Sequence, residues 1–391
     1  MSTDDSDDAM LARARDLIPV LAARESAAAA ARCVPASTIE DFHAAGILRV
    51  LQPRRFGGSQ TSFAIFSRVI EILAEGCAAS AWVYAVLGEH QWIIACMSGR
   101  AQDDVWGENP LAVASSSLAP RETAEVADGG WRLSGRFPFS SGSPHAQWAI
   151  IGARAPDAAG NRPTRYMLVP MAEIGIDDDW HVLGLRGTAS RTLVLRDVFV
   201  PEYRTVLLGA LLSGDTPGAA ILPDYHLLRA PRGYLVPFSL PTVSFTLARR
   251  ALERVPGMLR SRLSRGTRDL SDSEVVQMRL GEASAAIDNA ALIFHARRGE
   301  SVASVSAGRA VTLGEVQRNR RDVTFAATQL KRGVEILVEL TGARVVYDSD
   351  PLQTLLRDIL TIDTHMVVSR QNAMVPYGRT LLGLPPLPGE A

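Results

Sequence analysis

The feature that most constrains the fold is a block of strand-like sequence, residues 110–200, set between two long regions of helical periodicity. Before the block, Leu17, Ile18 and Leu21 follow helical spacing, and residues 63–76 and 78–98 are rich in small and apolar side chains. After it, apolar side chains recur every three or four residues. The order predicts an α+β chain with three parts: an N-terminal helical domain (1–109), a central β domain (110–225) and a C-terminal helix bundle (226–391).

Composition excludes several classes of protein. The chain has 391 residues, 47% of them apolar, which is enough for a large core. A net charge of −1 indicates no nucleic-acid partner. Three scattered cysteines without a CxxC pair indicate a reducing compartment and no metal site. Neither a signal sequence nor an apolar run of membrane-spanning length is visible, so we expect a cytoplasmic protein without membrane contact.

Several helix boundaries can be predicted from local signals. Ser37-Thr38-Ile39-Glu40 has the pattern of a capping box that opens a helix, and Gly342 is placed to end a long helix. The residues from about Met10 to Cys33 are expected to be helical. A final long helix is predicted to carry one apolar stripe on which His365 lies. That stripe comprises Leu352, Leu355, Ile359, Ile362 and Met366.

The stretch from Gly129 to Trp148 is the most informative part of the strand block. It is predicted to form a hairpin with Ser140, Ser141 and Gly142 between bulky residues. Adjacent hydroxyls, a flexible glycine and flanking aromatic rings suit a flat ligand with polar atoms on its edge. The alternative is a plain hairpin with a serine-rich corner.

Other catalytic signatures are missing from the sequence. It has no GxGxxG after a strand, no P-loop, no GxSxG and no HExxH motif. A nicotinamide site, a kinase and the common hydrolases are therefore disfavoured.

Five segments, in this order, resemble the acyl-CoA dehydrogenase superfamily over nearly the whole chain. They are Pro53–Gly58, Gly135–Trp148, Gly184–Ser190, Val198–Pro201 and Arg357-Asp358. The resemblance implies an N-terminal helical domain, a central β-barrel-like domain and a C-terminal four-helix bundle, with flavin between the last two. It also implies a homotetramer or homodimer.

The superfamily has two branches with different chemistry, and the sequence favours one of them. Dehydrogenases use a glutamate base, but the corresponding position here is Met366, beside His365, and residues 203–252 contain no glutamate. The run from Phe139 to Trp148 instead resembles the oxygenase components of two-component flavin-dependent monooxygenases. That branch takes reduced FMN or FAD from a separate reductase, uses O2 through a C4a-hydroperoxyflavin, and hydroxylates a small aromatic, phenolic substrate.

The candidate site residues come from the resemblance, for the two serines and His365, and from residue chemistry for the others. Catalytic candidates are His90, for the substrate hydroxyl, His365, beside the oxygenated flavin, and Ser140 and Ser141, at the flavin edge. Ser140 is slightly favoured over Ser141 by counting back from Gly142. Cofactor-binding candidates, in addition to the two serines, are Trp148, Arg186, Thr188 and Ser190. Each also has a structural interpretation: core histidines, turn serines, a packing tryptophan and a solvated turn.

Three other functions stay open from sequence. The chain could be an acyl-CoA dehydrogenase with an atypical base, an oxygenase that acts on nitrogen or sulfur, or a binding protein on the same fold. Reduced-flavin binding and oxygen transfer would separate these possibilities.

Overall fold

The N-terminal third of the chain is helical. The structure is a computed structural model that describes residues 6–157, 159–260, 263–264 and 268–386. The helices here are α1 (Asp7–Asp16), α2 (Ile18–Ala31), α3 (Ala36–Ala44), α4 (Phe63–Gly76), α5 (Ala78–Ala95) and α6 (Gly99–Trp106). All 18 residues of α5 are buried, as expected of a helix that is small and apolar on every face. No helix within the described ranges is both long and apolar enough to cross a bilayer.

Two details of this region differ from the prediction. The stretch from Met10 to Cys33 is helical as expected but is divided into two helices, because α1 ends at Asp16, with Leu17 as its C-cap, and Pro19 lies in the first turn of α2. The capping box at Ser37–Glu40 does not form. Helix α3 begins at Ala36. Its N-cap is Pro35, two residues before Ser37, and no side chain caps this end by a hydrogen bond.

The central region contains eight strands in two sheets. They are β1 (Ala114–Ser117), β2 (Glu125–Ala127), β3 (Gly130–Ser140), β4 (Trp148–Arg154), β5 (Thr164–Pro170), β6 (Gly175–Asp177), β7 (Arg191–Pro201) and β8 (Thr205–Leu207). One sheet has the order β1-β4-β5-β8 and the other β2-β3-β7-β6. Apolar side chains between the sheets form their own core, which includes Trp131, Leu133, Phe137, Ile151 and Met167.

The predicted hairpin between residues 129 and 148 is therefore incorrect. Strand β3 pairs with β2 and β7, whereas β4 pairs with β1 and β5 in the other sheet. Residues 141–147 carry the chain from one sheet to the other. Gly142 enables this crossing, with φ of +69° and a Cβ position only 3.1 Å from Val83 of α5. The described strands form two open sheets, so the expected closed barrel is not confirmed.

The C-terminal region returns to helices. Short helices α7 (Leu208–Ser213), α8 (Pro217–Ile221) and α9 (Arg232–Leu235) precede the long ones. The later elements are α10 (Pro241–Arg260), the two-residue strands β9 (Leu263–Ser264) and β10 (Arg268–Asp269), α11 (Glu274–Ser306), α12 (Leu313–Thr341), α13 (Pro351–Asp363) and α14 (Arg370–Leu381). Helix α12 packs against α10, α11, α13 and α14, and it ends at Gly342 as predicted.

His365 does not lie on the last apolar helix. Helix α13 ends at Asp363, and His365 caps a following single turn, Met366–Val368. Met366, predicted to continue the buried stripe, is 63% exposed. The stripe itself holds for Leu352, Leu355, Ile359 and Ile362, all of which are buried.

A close backbone contact joins the strand region to α13. The Leu185 N–H donates to Asp358 Oδ1 at 2.6 Å, and a side chain at Gly184 would collide with the Arg357 carbonyl. This contact fixes the loop that leads to Thr188 and Ser190 against the C-terminal helices. Burial raises the pKa of the Asp358 carboxyl to about 7.

Candidate functional site

His90 lies on α5 and is held at both ring nitrogens. Nδ1 is 2.6 Å from the Ala114 carbonyl oxygen and Nε2 is 2.9 Å from the Ser116 hydroxyl, both on β1. A carbonyl can only accept, so Nδ1 carries the proton and Nε2 of the neutral ring accepts from Ser116. Burial lowers the pKa of His90 to about 4, which keeps the ring neutral near pH 7.

Ser141 belongs to a chain of buried hydroxyls at the crossing between the two sheets. The Trp82 indole N–H donates to Ser141 Oγ at 3.1 Å, and Ser141 and Ser190 hydroxyls are 2.7 Å apart. Ser190 and Thr188 are also 2.7 Å apart, and Thr188 donates to the Leu185 carbonyl at 3.0 Å.

The ends of this hydroxyl chain fix its direction. Because the Leu185 carbonyl can only accept and the indole N–H can only donate, each hydroxyl proton points from Ser141 toward Ser190 and then Thr188. The proton of Ser141 is therefore already engaged. The oxygen of Ser141 keeps one lone pair, which can accept a further N–H from a ligand.

Ser140 faces a different neighbour. Its hydroxyl is fully buried and donates to Ser115 Oγ of β1 at 3.0 Å. Phe139, the residue before it, is 65% exposed, has φ of +65° and lies edge-on to Trp180. The strand thus presents an open aromatic surface next to the buried hydroxyls.

His365 approaches the hydroxyl chain through Trp82. The two rings meet edge-to-face with centroids 5.6 Å apart, and Trp82 in turn donates to Ser141. The Val367 N–H donates to His365 Nδ1 at 3.2 Å, so Nε2 of the neutral ring carries the proton. Loss of hydration lowers the pKa of His365 to about 4. Trp82 therefore connects the strand region and the C-terminal region.

Glu89, which precedes His90 on α5, forms an ion pair with Arg232. Arg232 Nη2, at the start of α9, is 2.9 Å from Glu89 Oε1, and Glu89 is 4% exposed. Sequence reasoning missed this pair, as well as Trp82, Ser115 and Ser116. Trp82 could have been found, because it lies two helical turns before His90 on one face of α5. Arg232 is 143 residues from Glu89 and carried no local signal.

The other two predicted cofactor contacts, Arg186 and Trp148, are not part of the hydroxyl chain. The Arg186 side chain is exposed, donates to the Val182 carbonyl at 3.1 Å and borders a cavity of about 720 Å³ that none of His90, Ser141 and His365 lines. Trp148 opens β4, and the Arg204 guanidinium lies 5.2 Å from its ring centroid. Thr188 and Ser190, in contrast, lie in the hydroxyl chain with Ser141.

The residues present fit a planar flavin ring. The acceptor at Ser141 and the N–H of His365, linked through Trp82, offer polar contacts to the edge of such a ring, and the exposed ring of Phe139 lies two residues before Ser141. Phe139 and Ser141 come from one stretch and His365 from the C-terminal region, and Trp82 connects Ser141 with His365.

Comparison with known proteins identifies the family. The acyl-CoA dehydrogenase C-terminal domain matches residues 242–370. The chain is 35% identical, over 91% of its length and 90% of the relative, to the oxygenase component of an FADH2-dependent resorcinol hydroxylase from Rhizobium sp..

Solved structures agree with this result. The 3-HSA hydroxylase from Rhodococcus sp. RHA1 superposes with a TM-score of 0.91 at 29% identity, covering 99% of this chain and 100% of the other. XiaF from Streptomyces sp., in complex with FADH2, gives 0.87 at 26% identity and covers 97% and 96%. The chain therefore belongs to the oxygenase components of two-component flavin-dependent aromatic hydroxylases, a branch with the acyl-CoA dehydrogenase fold.

Proposed function

We propose that the chain hydroxylates a small phenolic ring with O2 and reduced FMN or FAD delivered by a separate reductase. The observation that carries the proposal is the meeting of Ser141, Trp82 and His365, which joins a directed hydroxyl chain to an imidazole N–H. When bound, reduced flavin supplies the two electrons for O2, so that one oxygen atom enters the ring and the other leaves as water.

Ser141 is our choice for the contact with the flavin edge. Reduced flavin carries an N–H at its N5 position, and the oxygen of Ser141 can accept it because its own proton is used by Ser190. Ser140 has its hydroxyl directed at Ser115 and serves the packing of β1 against β3. The preference for Ser140 that came from counting along the sequence is therefore reversed in this proposal.

His365 and its neutral N–H are proposed to donate a hydrogen bond on the oxygen side of the flavin. Nδ1 is held by the Val367 N–H, so the free donor is Nε2. A preorganised donor in a pocket with little water stabilises developing negative charge far better than water does. We propose that Thr188 and Ser190 fix the orientation of Ser141. Arg186 and Trp148 remain proposed only as contacts for parts of the cofactor outside the flavin ring, such as its ribityl and phosphate groups.

His90 and Ser116 are proposed to hold the phenol hydroxyl. Since Nε2 of His90 already accepts from Ser116, the phenol would donate to Ser116 and reach His90 through it. A phenol pKa near 10 and a His90 pKa of about 4 make complete proton transfer unfavourable by about 8 kcal/mol. We infer that proton transfer accompanies attack on the ring rather than preceding it.

The finer points of architecture are part of the same proposal. We divide the chain into domains 1–109, 110–225 and 226–391, with α10–α13 as a four-helix bundle and the flavin site at the junction. Assembly into a homotetramer or homodimer would cover apolar side chains that are exposed on the C-terminal helices. These include Val275, Met278, Leu292, Phe325, Leu381 and Leu382. A cytoplasmic location stays a prediction.

The test of the function is isotope transfer from O2. The protein is mixed with photochemically reduced FMN or FAD, a panel of phenols and 18O2. The masses of the products are then measured by mass spectrometry. We expect one 18O atom in a hydroxylated phenol. Turnover of an acyl-CoA with an artificial electron acceptor, without 18O in any phenol, would instead establish a dehydrogenase.

A further inference from the structure

The carbonyl of Leu185 is the fixed end of the hydroxyl chain that runs through Ser141. It accepts from Thr188 twice, from the hydroxyl at 3.0 Å and from the backbone N–H at 3.1 Å, and it also accepts from the indole N–H of Trp180 at 3.2 Å. Leu185 itself is buried. Because a carbonyl can only accept, its position decides where the Thr188 proton points and therefore how the rest of the chain is directed.

The backbone around this carbonyl adopts an unfavourable conformation. Six non-glycine residues in the described part of the chain have a positive φ, and three of them adjoin the hydroxyl chain. Leu185 has φ of +52°, Ala189 has +45°, and Phe139, two residues before Ser141, has +65°. A residue with a Cβ keeps such a left-handed conformation only where its surroundings impose it. The conformation of Leu185 is therefore imposed by its contacts.

Asp358 makes the contact that holds this loop against α13. The Leu185 N–H donates to Asp358 Oδ1 at 2.6 Å, and Asp358 is buried. Gly184 lies so close to α13 that a Cβ there would be 2.1 Å from the Arg357 carbonyl oxygen. The peptide group between Gly184 and Leu185 is thus held by helix residues about 170 positions later in the chain.

We propose that Asp358 is a positioning residue for Ser141, acting through Leu185 and Thr188 to hold the Ser141 oxygen in place for the N–H of reduced flavin. The proposal rests on the proposed function, since it takes Ser141 as the flavin contact. Misplacement of an interacting group by about 1 Å can cost about a hundredfold in rate. Loss of the anchor should therefore favour release of hydrogen peroxide over hydroxylation.

The first test removes the acceptor and then restores it. Asp358→Ala leaves the Leu185 N–H without its partner, whereas Asp358→Asn keeps a side-chain oxygen that can accept. With a generic flavin reductase, the ratio of hydrogen peroxide released to phenol hydroxylated should rise about tenfold or more in Asp358→Ala. It should keep the wild-type value in Asp358→Asn. An unchanged ratio in folded Asp358→Ala refutes the proposal, and so does an equal rise in both variants.

Asp350→Ala is the matched control on the same helix. Asp350 is also buried and also accepts a backbone N–H, from Leu352 at 2.9 Å, but this hydrogen bond caps the start of α13. Its loss should lower the melting temperature without changing the ratio of hydrogen peroxide to hydroxylated phenol. A rise in that ratio equal to the rise in Asp358→Ala would assign the effect to a loosened α13 and overturn the proposal.

A second measurement needs no flavin. The indole N–H groups of Trp180 and Trp82 mark the two ends of the hydroxyl chain. In protein labelled with 15N-tryptophan, both NMR signals should shift in Asp358→Ala and keep their wild-type positions in Asp358→Asn. The indole of Trp131 donates to a carbonyl outside the chain and is the internal reference. A Trp82 signal that does not shift, or a Trp131 signal that shifts equally, would contradict the proposal.

Thr188→Val covers the case in which Asp358→Ala does not fold. The change keeps the shape of the side chain but removes the hydroxyl that joins Leu185 to Ser190. The ratio of hydrogen peroxide to hydroxylated phenol should again rise about tenfold or more. Where both single variants fold, the double variant should be no worse than the more affected of them, because both changes interrupt one path. A wild-type ratio in Thr188→Val, or multiplied effects in the double variant, would refute the proposal.

Product analysis separates this inference from the proposed function. If wild type transfers 18O to a phenol and Asp358→Ala does so with the same peroxide ratio, the function stands and the inference fails. If no phenol receives 18O but the Trp82 signal responds to the Asp358 variants as expected, the positioning of Ser141 stands and the hydroxylase assignment fails.

Discussion

Replacing Ser141 by alanine tests the proposed flavin contact most directly. The change removes the oxygen that accepts from Trp82 and the proton that Ser190 accepts. It also removes the lone pair that we assign to the flavin N–H. Loss of one preorganised hydrogen bond at a reacting group typically costs about 3 kcal/mol, roughly a hundredfold in rate.

Ser141→Ala should lower the free energy of unfolding only modestly, but it should strongly lower the fraction of flavin oxidation that leads to hydroxylation. The buried Trp82 N–H loses its acceptor, at a cost of about 1–3 kcal/mol of stability. Thermal melting would measure this loss. Ser140→Ala is the matched control, since that hydroxyl is equally buried but donates to Ser115 instead. Both variants remove one hydroxyl from the same turn.

The assay is the ratio of hydrogen peroxide released to phenol hydroxylated, with a generic flavin reductase supplying reduced flavin. In Ser141→Ala, most of the flavin oxidation should release hydrogen peroxide instead of hydroxylating phenol. In Ser140→Ala, the ratio of peroxide to hydroxylated phenol should equal that of wild type. The reverse result would show that the direction inferred for the hydroxyl chain does not identify the flavin contact. If both variants give the wild-type ratio of hydrogen peroxide to hydroxylated phenol, neither serine contacts the flavin.

Three other outcomes are expected. His90→Ala should slow hydroxylation of phenols about tenfold or more while flavin oxidation continues, as measured by product and oxygen uptake; an unchanged rate would make His90 a core residue. Asp358 has a folded pKa of about 7 against an ordinary 3.8, so its contribution to stability falls as pH rises between these values. In Asp358→Asn, which still accepts from the Leu185 N–H, urea unfolding should show a gain on the order of 1–3 kcal/mol at pH 8 that disappears toward pH 4. No gain at pH 8 would contradict the raised pKa. Light scattering should give a dimer or tetramer at micromolar concentration, and a monomer would contradict the proposed use of the exposed apolar side chains.

Elements governed by local sequence were predictable. Helices α4 and α5 follow from runs of small and apolar residues, and α12 ends at Gly342, which has φ of +65°. The capping box failed because Pro35 is the N-cap of α3, two residues before Ser37, and caps it without a side-chain hydrogen bond. His365 was misplaced on a helix because an apolar residue, Met366, happened to continue the spacing beyond Asp363.

Features that depend on distant pairing were not predictable. Strand β3 pairs with β7, about 60 residues later, so nothing near Ser140 indicated that β3 and β4 belong to different sheets. Ser141 and His365 were named as candidates from the sequence, but their connection through Trp82 was not predicted. Glu89 and Arg232 were missed because only the folded chain brings them together.

The position of Trp82 gives the protein an internal optical reporter. It is one of six tryptophans, and its indole lies between the hydroxyl of Ser141 and the ring of His365. A flavin placed against these groups would absorb the emission of that indole by energy transfer over a very short distance. Arrival and departure of the cofactor could therefore be followed in real time by intrinsic fluorescence without an added label, and Trp82→Phe would report the contribution of the other five tryptophans.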